Sequence, residues 1–210
     1  MKHLILFVSL FIFSACLGDK DPSLKDDSTI LETQVSASTT QKQELKNHFD
    51  LYLNQLKSLN ADAIISMTYP KLFIPINRSM FREFINTMVN SPDLEISSFQ
   101  TNITHIGEVN SFSNGYFTNL EYTSIITLNF INPTLYSSEK QMRFLYDIMQ
   151  HKYGSNNISV NTLNRTITII KNEKMLAIQE GMDSWKFIGD NAEYRRLYPK
   201  ILPYEILGSI

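Results

Sequence analysis

The sequence predicts an α+β domain in which N-terminal helices cover one face of an antiparallel sheet. Apolar residues recur at helical spacing in three segments between residues 43 and 89. From Leu94 onward the spacing changes to the alternation of β-strands, interrupted by one helical stretch, Ser138–Lys152. The chain has no internal repeat and no regular strand–helix alternation. These patterns indicate one domain with its helices placed ahead of its sheet.

Three helices are predicted in the first half of the domain. They are Gln43–Leu59, a short segment from Asn60 to Met67, and Ser79–Val89. The first has an apolar stripe along one face, typical of a helix packed on a core. Asn60 and Asn77 are expected to cap the second and third helices, because their side chains accept hydrogen bonds from first-turn N–H groups. Tyr69-Pro70 should end the second, since the residue before proline disfavours helical geometry.

Two long strands follow. Leu94–Ile106 is predicted as the first, with a bulge at Ser97-Ser98, where the apolar positions change parity. Asn114-Gly115 predicts a tight turn. Tyr116–Phe130 then places its apolar residues on even positions, which predicts one buried and one polar face until Asn132-Pro133 ends the strand.

The inserted helix and the last strands complete the domain. Ser138 and Gln141 form a capping-box pattern, and Gly154 is the expected stop. Three short strands are then predicted as a meander, separated by turns: Arg165–Ile170, Lys174–Gln179 and Ser184–Ile188. The tail, Ala192–Ile206, has helical spacing broken by two prolines.

The last predicted strand carries the only tryptophan, Trp185, beside Phe187. A single buried Trp typically closes a core. We expect Trp185 and Phe187 to lie against the Gln43–Leu59 helix or at the floor of a pocket. The strand polar residues Thr166, Thr168, Lys174 and Lys186 should lie on the solvated side of the sheet.

The N-terminus has the features of an export signal. Lys2 and His3 precede an apolar run, Leu4–Phe13, which is too short to anchor a chain across a bilayer. Ser14-Ala15-Cys16 follows, with the only cysteine of the chain. This segment resembles the lipobox of bacterial lipoproteins, in which cleavage precedes the cysteine and the thiol is lipidated, although Phe13 replaces the more usual leucine. The alternatives are an ordinary signal peptide cut after Ala15 and an incidental cysteine.

This resemblance implies three regions: a lipoprotein signal peptide over residues 1–15, a lipidated Cys16 with a disordered tether over residues 16–42, and a folded domain over residues 43–210. The expected location is the bacterial cell envelope, on the inner or outer membrane, with the lipid as the membrane contact. Lys20 and Lys25 among acidic residues after the cysteine resemble the export signal of surface-exposed lipoproteins. A single cysteine also leaves no intrachain disulfide.

The order of elements carries a second resemblance. A long helix, a short helix, Tyr69–Phe73, a pair of long strands, and Trp185–Ile188 followed by Leu197–Pro199 together resemble the nuclear transport factor 2-like (cystatin-like cone) superfamily. The closer similarity is to uncharacterised bacterial secreted or lipid-anchored members. It implies a strongly curved sheet wrapped around the first helix, a cone with a pocket, and often a homodimer. The inserted helix departs from the minimal pattern and could cover the mouth of the cone or an interface.

No catalytic residue is assigned. Enzymes of the superfamily place an Asp, or an Asp with a His, in the cone, but Asp62, Glu121 and Asp147 are each better explained as surface charges. His48, His105 and His151 form no ligand set, and Asp147 with His151, four residues apart on a helix, lacks a third ligand. No cofactor or metal is predicted. With 19 basic and 21 acidic residues, the chain has no excess of positive charge for nucleic-acid binding.

Three functional classes remain open. The leading hypothesis is a non-enzymatic, lipid-anchored envelope protein that binds a small apolar ligand or a protein partner. Pocket-lining aromatic residues would be Tyr69, Phe73, Tyr116, Tyr122 and Trp185. The alternative is an isomerase-, dehydratase- or cyclase-like enzyme that uses one carboxylate in the cone. A structural or assembly subunit would instead expose an apolar patch.

Overall fold

The computed structural model describes residues 39–210. The predicted signal peptide, Cys16 and the tether up to residue 38 lie outside the described residues. The domain is mixed α+β, with helices and a six-stranded antiparallel sheet. None of its helices within residues 39–210 combines the length and hydrophobicity needed to cross a lipid bilayer.

Within residues 39–210, three helices precede the sheet: α1 (Thr39–Ser58), α2 (Ala61–Met67) and α3 (Arg78–Val89). Both predicted caps are confirmed, because the Asn60 side chain accepts a hydrogen bond from the Ala63 N–H and that of Asn77 accepts one from the Met80 N–H. The first helix begins at Thr39, earlier than the apolar stripe predicts. A 3₁₀ turn, Pro70–Phe73, follows α2.

The sheet contains β1 (Leu94–Ile106), β2 (Asn110–Phe112), β3 (Gly115–Phe130), β4 (Ile158–Asn161), β5 (Thr166–Glu180) and β6 (Lys186–Gly189). The strand order is β1-β3-β5-β4, with β2 paired to β3 and β6 paired to β5. The predicted bulge in β1 is confirmed by a register shift between Ile96 and Ser98. A second, unpredicted shift lies between Ile103 and His105.

The predicted turn between Ile170 and Lys174 is wrong. Residues 166–180 form one continuous strand, and Asn172, in the middle of the expected turn, pairs with Thr123 of β3. The polar sequence Lys171-Asn172-Glu173 predicts a turn, but the apolar positions on either side of it keep the same parity. A sixteen-residue partner, β3, supplies backbone hydrogen bonds along the whole length. The short strand β4 was not predicted.

The expected Asn114-Gly115 turn is shifted by one residue. Ser113 and Asn114 form the turn between β2 and β3, and Gly115 is already paired with Phe112 and Glu180. A Cβ atom on Gly115 would lie 1.8 Å from the Gln179 carbonyl oxygen. Glycine is therefore required by the close approach of the neighbouring strand rather than by the turn.

The inserted helix, α4 (Glu139–Tyr153), has the predicted capping box between Ser138 and Gln141. Its buried face joins β4 and β5 in a core cluster: Met142, Leu145, Met149, Tyr153, Ile158, Ile167 and Ile169. Its outer face exposes Phe144 and Ile148, which are 62% and 39% exposed. Three short helices follow β6: α5 (Ala192–Arg195), α6 (Tyr198–Ile201) and α7 (Tyr204–Leu207). Pro203 separates α6 from α7, whereas Pro199 lies in the first turn of α6.

The two faces of the sheet differ in what covers them. We call the face of the even residues of β3 and the odd residues of β5 the inner face. Helices α1–α3 pack there with Leu120, Tyr122, Met175 and Ala177. The C-terminal helices pack on the opposite, outer face with Phe117, Leu176 and Ile178. The sequence analysis places only the helices ahead of the sheet and predicts no cover for this second face. Phe187 contacts the rings of Phe49 and Tyr52 in α1, as expected from the sequence.

Candidate functional site

The inner face of the sheet is apolar at both ends and polar in the middle. Along β5, Ile167 and Ile169 belong to the core beneath α4, whereas Met175 and Ala177 belong to the core beneath α1. Lys171 and Glu173 come between them on the same face, because successive side chains of a strand alternate. The strand therefore introduces two charges between two apolar cores.

These two charges form a buried ion pair. The Lys171 ammonium donates a hydrogen bond to Glu173 Oε1, and the two side chains are only 4% and 17% exposed. On β3, Ser124 lies opposite Lys171 and is itself buried, and Tyr122 lies opposite Glu173. Thr101 of β1 lies opposite Ser124 on the other side, so Lys171, Ser124 and Thr101 are neighbours across three strands. The ion pair therefore lies in the middle of β5, where this strand is paired with β3.

A cavity of about 180 Å³ opens beside this pair. One wall comes from the helices and is wholly apolar apart from a phenol: Tyr52, Leu56, Leu59, Ile64, Phe81, Phe84, Ile85 and Met88. The other wall comes from the sheet and the segment after it: Phe99, Tyr122, Ser124, Ile126, Lys171, Glu173, Lys174, Met175, Gly189, Asn191 and Tyr194. An apolar enclosure with a few polar groups is the usual composition of a small-molecule site.

The ionisation of the phenols reflects this environment. Burial raises the pKa of Tyr122 well above its usual value, and the negative charge of Glu173 raises it further. Burial also raises the pKa of Tyr52, with a smaller contribution from Tyr194. Burial raises the pKa of Tyr194 as well. All three phenols therefore remain protonated at neutral pH, where each hydroxyl can both donate and accept a hydrogen bond.

Of the five aromatic residues predicted to line a pocket, Tyr122 lines this cavity. The side chains of Tyr69, Phe73, Tyr116 and Trp185 are not among those that line it. Tyr69 belongs to the core on the outer face, where its hydroxyl donates to Glu180 Oε1 at 2.9 Å. Trp185 is buried in the inner-face core but does not reach the cavity wall.

The other two aromatic residues lie at the edges of the core. Phe73 makes an edge contact with Phe81 and lies beneath the Arg78 guanidinium. Tyr116 is half-buried against the inner-face core. Phe187 packs against the rings of Phe49 and Tyr52, and Trp185 is buried in the same core. These side chains fill the region where the sequence predicts the pocket, and the cavity lies near Tyr122 instead.

The acidic residues considered from the sequence have surface partners. Asp62 pairs with Arg82 at 2.6 Å, and Glu121 pairs with Lys174 at 3.0 Å on the outer face. Asp147 is exposed on α4. The His151 ring contacts the Asp147 backbone carbonyl oxygen rather than its carboxylate. Within residues 39–210, no three His, Cys, Asp or Glu side chains lie close enough together to hold a metal ion.

Lys171 and Glu173 are the site residues that the sequence analysis missed. Both were assigned to a turn, where charged side chains need no explanation. The available signal was parity, because odd positions from Ile167 to Ala177 would all be buried if the strand were continuous. Two charges on a face that is otherwise apolar would then have indicated a buried pair.

Comparison with known proteins adds no relative. The chain matches no protein-family model, no curated protein and no solved structure.

Proposed function

We propose that this chain is a bacterial cell-envelope lipoprotein, anchored through Cys16, whose domain binds a small molecule in the cavity between α1–α3 and the inner face of the sheet. One observation carries the ligand-binding part of the proposal. In the Lys171–Glu173 ion pair at the cavity wall, the side chains are only 4% and 17% exposed, and the helical side of the cavity is apolar apart from Tyr52.

The energetic argument concerns why an ion pair would be kept there. Removing two charges from water costs several kcal/mol for each ion, and a well-packed apolar pair is often as stable or more stable. A buried ion pair is therefore weak support for a purely structural role. Charged and phenolic groups that face an enclosed space, by contrast, can orient a bound molecule.

The fold proposal is the cone of the nuclear transport factor 2-like superfamily. Three features support it: ring contacts between α1 and the inner face, two strands of fifteen or more residues, and two register shifts in β1. Bulges increase the local twist and bend a strand, and a bent sheet can enclose a helix. An experimental structure with a flat sheet would contradict this assignment.

Binding in the cavity can be tested with a substitution that fills it. Ile126 lines the cavity, whereas its neighbour Ile125 projects from the other face of β3. Ile126→Phe should abolish the binding of a one-ring probe such as benzyl alcohol, and Ile125→Phe should leave it unchanged. NMR shifts of the Ile64, Met88 and Ile126 methyl groups would report the binding in the wild type. Equal binding by both variants would place the probe elsewhere.

The membrane anchor is tested by Cys16→Ser. Lipidation requires the thiol, so the variant should lose radiolabelled palmitate and move from the membrane to the soluble fraction. Ser23→Ala, in the predicted tether, is the control and should keep the label. An unlabelled wild-type protein would refute the lipoprotein proposal and leave the binding proposal intact.

A carboxylate at the cavity also supports the enzymatic alternative. Glu173 could take a proton from carbon next to a carbonyl group, leaving an enolate that regains a proton from solvent. Acetophenone in D₂O tests this, since each cycle replaces one methyl proton with deuterium. Exchange that Glu173→Gln removes and Glu121→Gln preserves would support an enzyme. Exchange no faster than in buffer would exclude this reaction.

A further inference from the structure

If the cavity binds a small molecule, as proposed above, its charged groups restrict the charge of that molecule. We propose that the cavity selects an uncharged molecule with one small ring or a short chain and one hydrogen-bonding group. This proposal is supported by the position of the Lys171–Glu173 ion pair. Its two charges neutralise each other, and the other groups that line the cavity include tyrosines and apolar side chains.

The charges in the cavity wall already neutralise one another. Lys171 and Glu173 are bonded together, and both side chains are largely removed from water. Lys174 also lines the cavity, but its side chain is 64% exposed and its ammonium pairs with Glu121. Lys152 of α4 is close enough to Lys171 to repel it, and it is also attracted by the negative charge of Glu193. Lys152 does not line the cavity. The cavity wall therefore has no unpaired charge that could bind a charged ligand.

A charged ligand would break this balance. A carboxylate bound to Lys171 would leave the Glu173 carboxylate without its cation, and an ammonium bound to Glu173 would do the same to Lys171. An unpaired charge in a desolvated site is strongly unfavourable. A ligand that left the pair intact would have to bury its own charge without a partner.

A neutral polar group can bind without leaving a charge unpaired. Tyr52, Tyr122 and Tyr194 line the cavity, and their hydroxyls are close enough to interact electrostatically with one another. Phenol hydroxyls can donate to a carbonyl oxygen and accept from an alcohol or amide. The wall from α1–α3 would contact the apolar body of the ligand.

The volume limits the size of that body. A dry cavity of roughly 150 Å³ accommodates benzene, so about 180 Å³ suits one ring with a substituent of a few atoms. Benzyl alcohol and benzamide have this size. Benzylammonium and benzoate match them closely in shape and differ in charge, which makes two matched pairs of probes.

The test compares the four probes on the wild-type domain by calorimetry or NMR titration. Benzyl alcohol should bind at least tenfold more tightly than benzylammonium, and benzamide at least tenfold more tightly than benzoate. If the charged member of either pair binds as tightly as the neutral one, the selection for uncharged ligands is wrong while the binding function stands. If none of the four binds, the proposed binding function itself fails.

Substitutions in the ion pair give a second, independent measurement. Glu173→Gln frees the Lys171 ammonium, so benzoate should gain at least tenfold relative to benzamide. Lys171→Met frees the Glu173 carboxylate, so benzylammonium should gain relative to benzyl alcohol. The double variant carries neither charge and should keep the wild-type preference. Unchanged ratios in a folded single variant would show that the pair does not control selection.

Discussion

Substitution of Lys171 by methionine tests whether the ion pair is as desolvated as its burial indicates. Methionine has a similar length, so the change removes the ammonium without opening a large space. Breaking a buried pair typically costs about 3–5 kcal/mol, because the remaining charge has no partner. Glu173 keeps 17% of its side chain exposed, which places the expected loss at the lower end, about 3 kcal/mol.

The measurement is denaturant unfolding at pH 7 with a thermal melt beside it. For a domain of this size, about 3 kcal/mol corresponds to a fall of roughly 6–12 °C in Tm. The double variant Lys171→Met/Glu173→Leu should recover most of the loss, because no charge is then left unpaired. Lys174→Met is the matched control: its pair with Glu121 is exposed, so its loss should stay below about 1 kcal/mol.

Two results would refute this reasoning. If Lys171→Met costs less than about 1 kcal/mol, water screens the pair and the cavity wall is not desolvated. If the double variant is as unstable as the single one, the loss comes from packing or from hydrogen bonds of Lys171, rather than from the unpaired carboxylate.

Three further predictions concern buried hydroxyls and backbone contacts. Tyr153→Phe should leave stability at pH 7 unchanged or raise it by up to about 1 kcal/mol, because the Tyr153 hydroxyl is buried without a hydrogen-bond partner. Tyr198→Phe should cost about 1 kcal/mol, because it removes a 2.8 Å hydrogen bond to the Gly189 carbonyl oxygen. Equal losses for the two variants in urea unfolding would contradict this prediction. Because burial raises the pKa of Tyr52 and Tyr122 above the ordinary 10.0, the unfolded chain loses these protons first as pH rises. The contribution of these two tyrosines to stability should therefore be constant below about pH 9. Above pH 10 stability should fall by up to about 1.4 kcal/mol per pH unit for each tyrosine, and a flat profile from pH 10 to pH 11 would be inconsistent with phenols protected in the folded state. Gly115→Ala should lower the free energy of unfolding by at least about 2 kcal/mol, because the added Cβ forces β3 and β5 apart. Gly208→Ala is the control and should lower it little, since its Cβ would meet no atom nearer than 3.7 Å. Thermal melts of both variants test this prediction.

Local signals predicted most of the helices and the long strands. The Asn60 and Asn77 caps and the Ser138 capping box depend on contacts within three residues, so the sequence contains all the information. The alternation of Tyr116–Phe130 and the parity change at Ser97-Ser98 also survive in the structure, because register follows from burial of one face.

Turns and the cavity depended on contacts between distant segments. The polar sequence Lys171-Asn172-Glu173 is compatible with a turn or a strand, and pairing with β3 decided in favour of the strand. Gly115 serves a contact with Gln179, far along the chain, which no local pattern shows. The pocket prediction depended on aromatic residues, yet aromatic side chains are large enough to fill a core, and Trp185 and Phe187 do so.

The sequence by itself determined the mixed α+β class, the capped starts of α2, α3 and α4, and the inward face of the central strand, because each depends on neighbouring residues or on periodicity. The lipid anchor at Cys16 stays a prediction. The tertiary structure alone decided that Lys171 and Glu173 are buried as a pair and that Tyr122, rather than Trp185, faces open space. The physical reason is that burial of a charge and the position of a cavity depend on how three helices pack against two strands, which are contacts between segments far apart in the chain.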